Sequence, residues 1–333
     1  MSGPVTGQDV VPVGAQQASQ SPQASQASQA SRVAEPAVEI TESRAQTVGA
    51  VPVRRALPIR TRRTVGAWCF ADHLGPLAVG PDARHAGARG IDIGPHPHIG
   101  LHTVTWLLAG EVRHLDRLGS DQVVRPGQLN LMTAGAGVVH AEEGTDYRGA
   151  LHGVQLWVAQ PEATRHGPAA FEHHADLPRV EIGNTVATVL VGELASAASP
   201  TRHDTELAGA ELALRPGRSV LPLRPDFEYA LLVTEGAVRL AATQAVARPG
   251  QLAYLGAGRP EVALDAVEPA RALLRGGVPF PEPVVMWWNF VGRSRAELTT
   301  AYRQWSDRDG AGRFGPVASH LRRVPAPPPP WRY

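Results

Sequence analysis

A single cysteine, Cys69, is the whole thiol content of these 333 residues. No intramolecular disulfide can staple the chain, which fits a reducing, cytoplasmic setting. No run approaches the ~18 apolar residues of a helical membrane span. Excess charge is missing as well. The 32 Lys and Arg residues face 31 Asp and Glu, for a net charge of +1, so no bulk attraction to nucleic acid or an anionic membrane is expected. Basic stretches such as Arg60-Thr61-Arg62-Arg63 are too short for a nucleic-acid footprint. What is present is a 43% hydrophobic content, enough for real cores, and a length that suggests two domains at roughly 150 residues each.

The ends read differently from the middle. Residues 1–43 are rich in Gln, Ser, Ala and Pro, with a near-repeat from Ser21 to Ser31. Such a composition buries too little apolar surface to offset its ordering entropy, so a disordered tail is expected. It has no basic start and no apolar core, so it does not read as a secretory signal. At the other end, residues 281–333 contain the capping-box pattern Ser294-Arg295-Ala296-Glu297. Leu298, Ala301, Tyr302 and Trp305 follow at helical spacing. The spacing predicts a helix across the barrels. Pro325-Ala326-Pro327-Pro328-Pro329-Pro330 then reads as an extended strap on its own domain. Met286-Trp287-Trp288-Asn289-Phe290 reads as packing rather than as part of a ligand site.

Between the ends, short β-branched and aromatic runs alternate with Gly/Pro turns. From Leu101 to Gly110, His102, Val104, Trp106 and Leu108 share one face and Thr103, Thr105 and Leu107 the other, as in a strand. Many such runs predict an all-β protein of jelly-roll barrels. A repeat sets their number. Arg125-Pro126-Gly127-Gln128-Leu129 recurs letter for letter as Arg248-Pro249-Gly250-Gln251-Leu252, with hairpin residues in matching order before it and a Gly-Ala-Gly after it. Two copies of one β-module are expected, residues 44–192 and 193–280.

The copies differ in chemistry. The first holds Gly94-Pro95-His96-Pro97-His98 and Val138-Val139-His140-Ala141-Glu142. Residues two apart on a strand point to one face, so each pair aims both members at one point. Three imidazoles and a carboxylate suit a divalent transition metal with positions left open. Fe(II) fits best; Mn, Ni or Cu are alternatives, and Zn fits less well. The second copy has Leu223-Arg224-Pro225-Asp226 near the place of His-Pro-His, and Arg259-Pro260-Glu261 after its Gly-Ala-Gly. It keeps the frame without the ligands.

The spacing Gly90-x5-His96-x-His98 followed by His140 and Glu142 matches the two cupin motifs. The run from Phe70 to Gly192 resembles the pirin family, a bicupin group. The matching residues are His96-Pro97-His98-Ile99-Gly100, Thr103-Val104-Thr105, Met132 to Glu142, and Gly153-Val154-Gln155-Leu156-Trp157-Val158. The resemblance implies a bicupin with a C-terminal helix and iron bound by His96, His98, His140 and Glu142. It also implies either of two functions: dioxygen-dependent cleavage of quercetin or a similar small phenolic substrate, or a regulatory, co-regulator-like binding role toward a protein partner. A monomer without direct nucleic-acid contact is expected. Glu142 is a ligand that could also accept the substrate proton. His102 departs from the family, which usually has Glu there. It lies four residues after His98, so it reads as a fifth ligand, a donor to a ligand, or an ordinary packed histidine, the last two being favoured. A catalytic contribution from His102 stays open at this point. His114, His166, His173, His174 and His203 read as solvated, and Asp116 and Glu143 as surface or turn residues.

Overall fold

The computed structural model describes residues 37–80, 90–307 and 312–331. The strands pair antiparallel into two jelly-roll barrels. In the first, a seven-stranded sheet runs in the order Ala170–His174, Leu129–Thr133, Leu101–Ala109, Gly149–Ala159, Trp68–Val79, Val51–Leu57, Arg44–Val48. It faces a four-stranded sheet ordered Ile93–His98, Val138–Glu143, Val112–Asp116, Asp121–Val124. The second barrel repeats the plan. Its larger sheet runs Glu39–Glu42, Gln251–Gly256, Glu228–Glu235, Ala270–Gly277, Leu207–Leu214, Thr185–Leu194, Arg179–Ile182, with Ala197–Ala198 added on Thr185–Leu194. Its smaller sheet runs Gly217–Pro222, Glu261–Ala266, Val238–Leu240, Ala245–Ala247.

The alternation in Leu101–Ala109 explains how the barrels join. Val104, Trp106 and Leu108 point out of the first barrel and pack with Leu129, Leu131, Val154 and Leu156 against Leu190, Leu232 and Leu273 of the second. Each such side chain contributes roughly 1.5–3 kcal/mol when fully buried. The opposite face, with Thr103 and Thr105, turns into the first barrel's interior. The second barrel's interior is filled by a separate apolar core that includes Leu212, Leu231, Val233 and Leu274.

Two expectations change. Residues 1–36 lie outside the described residues, but Glu39–Glu42 is an edge strand on Gln251–Gly256 rather than tail. Val38 and Ile40 pack on the second core, and Gln251 Nε2 donates to Glu42 at 2.6 Å. The polar letters around Ile40 hide this, because an edge strand buries only one face. The passage between barrels also differs: Arg179–Ile182 and Thr185–Leu194 pair within the second barrel's sheet, so the sheets change over at 175–178 rather than at 192/193.

The C-terminal segment returns to the first barrel. A hairpin, Val285–Trp287 with Phe290–Gly292, precedes the helix Arg295–Ser306, whose N-cap Ser294 accepts from Glu297 N at 3.2 Å. Leu298, Ala301 and Trp305 pack with Phe290 and Phe314 on Ile99 and Val139 of the first barrel. Beyond it, Val324 N donates to Pro95 O at 2.9 Å, and Trp305 Nε1 donates to Val324 O at 3.0 Å.

Candidate metal centre

The strand Ile93–His98 is the edge of its sheet, which is why it tolerates Pro95 and Pro97: a residue without N–H is accommodated where one side is unpaired. The prolines alternate with His96 and His98, so both imidazoles turn inward. His140 stands directly opposite His96 in the antiparallel register, and Val138 opposite His98. The result is a compact trio, with one ring nitrogen from each of His96, His98 and His140 within 4.8 Å of the others. All three side chains are buried. Burial depresses each basicity, with further lowering from neighbouring imidazoles; His96 falls to about 4, and His98 and His140 lie well below the ordinary 6.5. All three are therefore neutral near pH 7, the form that ligates metal.

Their outward nitrogens are tied down. His96 Nδ1 lies 2.9 Å from Gly94 O and His98 Nδ1 3.0 Å from Asn289 O. A carbonyl only accepts, so each Nδ1 carries the proton and each Nε2 is bare. His140 Nδ1 lies 3.4 Å from His114 Nδ1, and His114 Nε2 lies 3.0 Å from Asp116 Oδ2. The tautomers that satisfy this chain have His114 donating to Asp116 and His140 donating to His114, which bares His140 Nε2 as well. The Nε2 atoms of His98 and His140 then stand 3.1 Å apart, lone pair toward lone pair. That arrangement repels unless a cation lies between them. At a metal–nitrogen bond of about 2.1 Å, two ligands at right angles are roughly 3.0 Å apart. The donor set fits a divalent transition ion.

Glu142 lines the same cavity but stands outside the trio's cluster. A bulge separates it from His140: His140 pairs with His96, yet Glu142 pairs with Ile93. Its carboxylate has no hydrogen-bond partner among the described residues, and burial alone lifts it to about 7. The cavity, of about 270 Å³, carries an aromatic wall of Phe70, Trp157 and Trp288 and apolar residues that include Val53, Ile93 and Val324. Phe70 and Trp157 stack at 4.0 Å, and Trp157 meets the His98 ring edge-on at 5.2 Å. Trp288 and Asn289 form the turn of the C-terminal hairpin, with Trp288 held at φ +52°. A bulky residue in the left-handed region is a strained placement of the kind concentrated at functional sites. The expectation that Met286–Phe290 is packing alone therefore changes. Phe290 packs, while Trp288 walls the cavity and Asn289 orients His98.

His102 is the packed histidine, one of the two readings favoured for it, while His114, Asp116 and Glu143 are more buried than the sequence reading places them. His102 is buried but absent from the cavity lining. Its Nδ1 lies 2.9 Å from Thr133 Oγ1 and its Nε2 3.1 Å from Asp204 Oδ2. The parity argument linking it to His98 fails because Gly100, at φ +67°, turns the chain into the other sheet. His102 is thus a packed, hydrogen-bonded residue between the barrels, without contact to the trio. His114 is buried rather than solvated, stacked at 4.4 Å on Phe171. Asp116 does make a turn, accepting from Leu118 N and Ser120 N, but it is buried and holds His114. Its carboxyl sits below the ordinary range because the His114 and backbone contacts outweigh the opposing effect of burial. Glu143 is buried too, accepting from Ser319 Oγ at 2.6 Å. Of the remaining histidines, His166 is exposed, while His173 and His174 belong to a half-buried strand.

The second barrel shows what the site becomes without ligands. Leu221 pairs with Val262 as His96 pairs with His140. The corresponding stretches of the second barrel, Gly217–Pro222 and Glu261–Ala266, carry apolar side chains inward in place of imidazoles. Leu221, Leu223, Val262 and Leu264 are all buried in the apolar core.

Comparison with known proteins agrees with this fold. The Pirin family model matches residues 50–158, and that of the Pirin C-terminal cupin domain matches residues 209–314. A Pseudomonas aeruginosa protein provisionally assigned as a quercetin 2,3-dioxygenase is 43% identical over 295 residues, covering 88% of this chain and 90% of its own. A pirin-like protein of Caulobacter vibrioides is 34% identical, covering 86% and 98%. The crystal structure of a quercetin 2,3-dioxygenase from Acinetobacter baumannii superposes with a TM-score of 0.83 at 38% identity, covering 89% of this chain and 97% of that one. With both barrels, the histidine trio and these relatives in agreement, the chain belongs to the pirin family.

Proposed function

We propose that this protein is an Fe(II)-dependent dioxygenase that opens a quercetin-like phenolic substrate with dioxygen. His96, His98 and His140 hold the metal and Glu142 completes its protein ligands. The observation that carries this reading is the convergence of three neutral imidazoles at one end of an aromatic-walled cavity. A ferrous ion bound there would supply Lewis acidity and a meeting point for substrate oxygen and dioxygen.

The chain's own groups account for the rest. Trp288 and Trp157, the latter backed by the stacked Phe70 ring, wall a slot that orients a planar ring and excludes water. Glu142 has no other hydrogen-bond partner among the described residues, so the carboxylate oxygen it does not give to the metal is free to accept the proton of the substrate hydroxyl. Asn289 and the His114–Asp116 pair fix the rings so that no reorganisation is needed when ligands bind. A regulatory binding protein would need only a shallow or blocked site, and the lined cavity favours catalysis over that reading. We place the reaction in the cytoplasm of a monomeric protein, in keeping with the lone buried thiol. Among the described residues no helix is long and apolar enough to cross a membrane.

The test is oxygen uptake with loss of flavonol absorbance. Fe(II)-loaded protein should consume both, and metal-free protein neither. Equal rates in the two preparations would overturn the reading.

A further inference from the structure

Behind the aromatic wall, the inner face of the seven-stranded sheet carries a row of polar side chains, separate from the histidines of the facing sheet. Arg55 pairs with Asp72, Asp72 with Gln155, Gln155 with Thr105, Thr105 with Asn130, and Asn130 with His173. Residues directly opposed in an antiparallel sheet share a face, so all six point into the barrel. Asp72, Thr105 and Asn130 are buried. Arg55, Gln155 and His173 are half-buried, and a polar row set into a barrel interior in this way costs desolvation that hydrogen bonds must offset.

Three members, Arg55, Asp72 and Gln155, also line the cavity that holds the histidine trio. Their mutual bonds leave specific atoms for a ligand. Arg55 donates from Nε and Nη2 to the two Asp72 oxygens at 2.8 and 2.7 Å, and lies 4.5 Å over the Phe70 ring. This bidentate grip fixes the carboxylate and leaves it further lone pairs. The Thr105 hydroxyl donates to Gln155 Oε1 at 2.9 Å, which directs the amide nitrogen the other way. That nitrogen has no partner among the described residues. A fixed acceptor and a free donor thus stand side by side on adjacent strands, the pair a hydroxyl group needs. Gln155 lies two residues from Trp157, about 6.8 Å along the strand, while Trp157 touches the His98 ring. The polar pair therefore sits roughly one aromatic ring beyond the metal-facing end.

We propose that Gln155 and Asp72, held by Thr105 and Arg55, form a hydroxyl-reading subsite that selects planar aromatic ligands bearing a second hydroxyl away from the metal-binding one. This rests on the dioxygenase reading of the site and names its specificity: the substrate is a polyhydroxylated aromatic, bound at both ends. Asp72 accepts the distal hydroxyl's proton in a hydrogen bond, and Gln155 Nε2 donates to its oxygen.

The probes are quercetin and 3-hydroxyflavone, which shares the chelating oxygens and lacks the distal hydroxyls. Anaerobic titration of the Fe(II)-loaded protein gives the affinity of each. The wild type should bind quercetin about tenfold more tightly or better, as expected from one satisfied buried pair. Gln155→Leu should bring quercetin down to the level of 3-hydroxyflavone and leave 3-hydroxyflavone unchanged. Gln155→Met keeps the length of the side chain and removes the donor without adding charge; it should lose the same preference, which covers the case that Gln155→Leu fails to fold. An unchanged quercetin preference in a folded variant would overturn the subsite while leaving the dioxygenase reading standing. Binding of neither flavonol by the wild type would overturn both.

Discussion

Replacing His114 with phenylalanine should weaken metal binding without unfolding the barrel. His114 touches no metal position itself, but its Nδ1 accepts a hydrogen bond from His140 Nδ1–H at 3.4 Å and its Nε2–H donates to Asp116 at 3.0 Å. Phenylalanine keeps the ring stacked on Phe171 and removes both nitrogens. His140 Nδ1–H would then be a buried donor without an acceptor, at a cost of about 1–3 kcal/mol. The ring can escape that cost by rotating or by moving its proton to Nε2, and either change spoils the ligand. Loss of such supporting bonds typically lowers metal affinity about 10- to 100-fold, or roughly 1.4–2.7 kcal/mol. Competition with a chromophoric chelator at pH 7 measures this directly. Asp116→Asn should fall between the wild type and His114→Phe, because a neutral amide polarises His114 less. Affinity within twofold of the wild type for His114→Phe would refute the reasoning.

Three further outcomes follow from other parts of the molecule. His102→Ala should leave metal content unchanged, because its ring is spent on Thr133 and Asp204; it should cost about 1–3 kcal/mol in denaturant unfolding by stripping a buried carboxylate of one partner. Loss of metal in that variant would put His102 back at the centre. His73, buried against Arg54 and 2.8 Å from His152, is lowered from 6.5 to about 3, chiefly by burial. The unfolded chain therefore binds a proton the native one refuses, so His73's contribution to stability is present above pH 6.5 and is lost as pH falls from 6.5 toward 3. His73→Gln should reduce the pH slope of unfolding in that window by about one proton, and an unchanged slope would contradict the assignment. A chain beginning at residue 44 lacks the Glu39–Glu42 strand and should melt several degrees below one beginning at residue 37, as expected for losing about 1–3 kcal/mol of edge packing; equal melting temperatures would show that the strand contributes nothing.

The trio was legible because strand parity needs only local information. His96 with His98, and His140 with Glu142, declare themselves at i, i+2, and the repeated Arg-Pro-Gly-Gln-Leu declares two barrels. What escaped depends on contacts distant in sequence. Asn289 reaches His98 across 191 positions, and no spacing rule carries that far. His114 occupies an ordinary strand position, and its role comes from the pairing of Val112–Asp116 with Val138–Glu143. Parity left a ligand role open at His102, and the Ile99-Gly100 turn removes it by breaking the strand between His102 and His98. A bulge likewise sets Glu142 apart from His140, which the two-residue spacing hides. The six-residue polar row is invisible in sequence for the same reason: its members come from six separate strands and meet only through register.

The metal centre proposed for the first barrel is built by His96, His98 and His140. Elemental analysis of the purified protein, beside His140→Ala and the second-barrel variant Leu221→Ala, addresses it most directly. The wild type and Leu221→Ala should each carry about one divalent transition ion per chain, and His140→Ala little or none, as expected when one of three imidazole ligands is removed. Full occupancy in His140→Ala, or loss of the ion in a folded Leu221→Ala, would contradict the account.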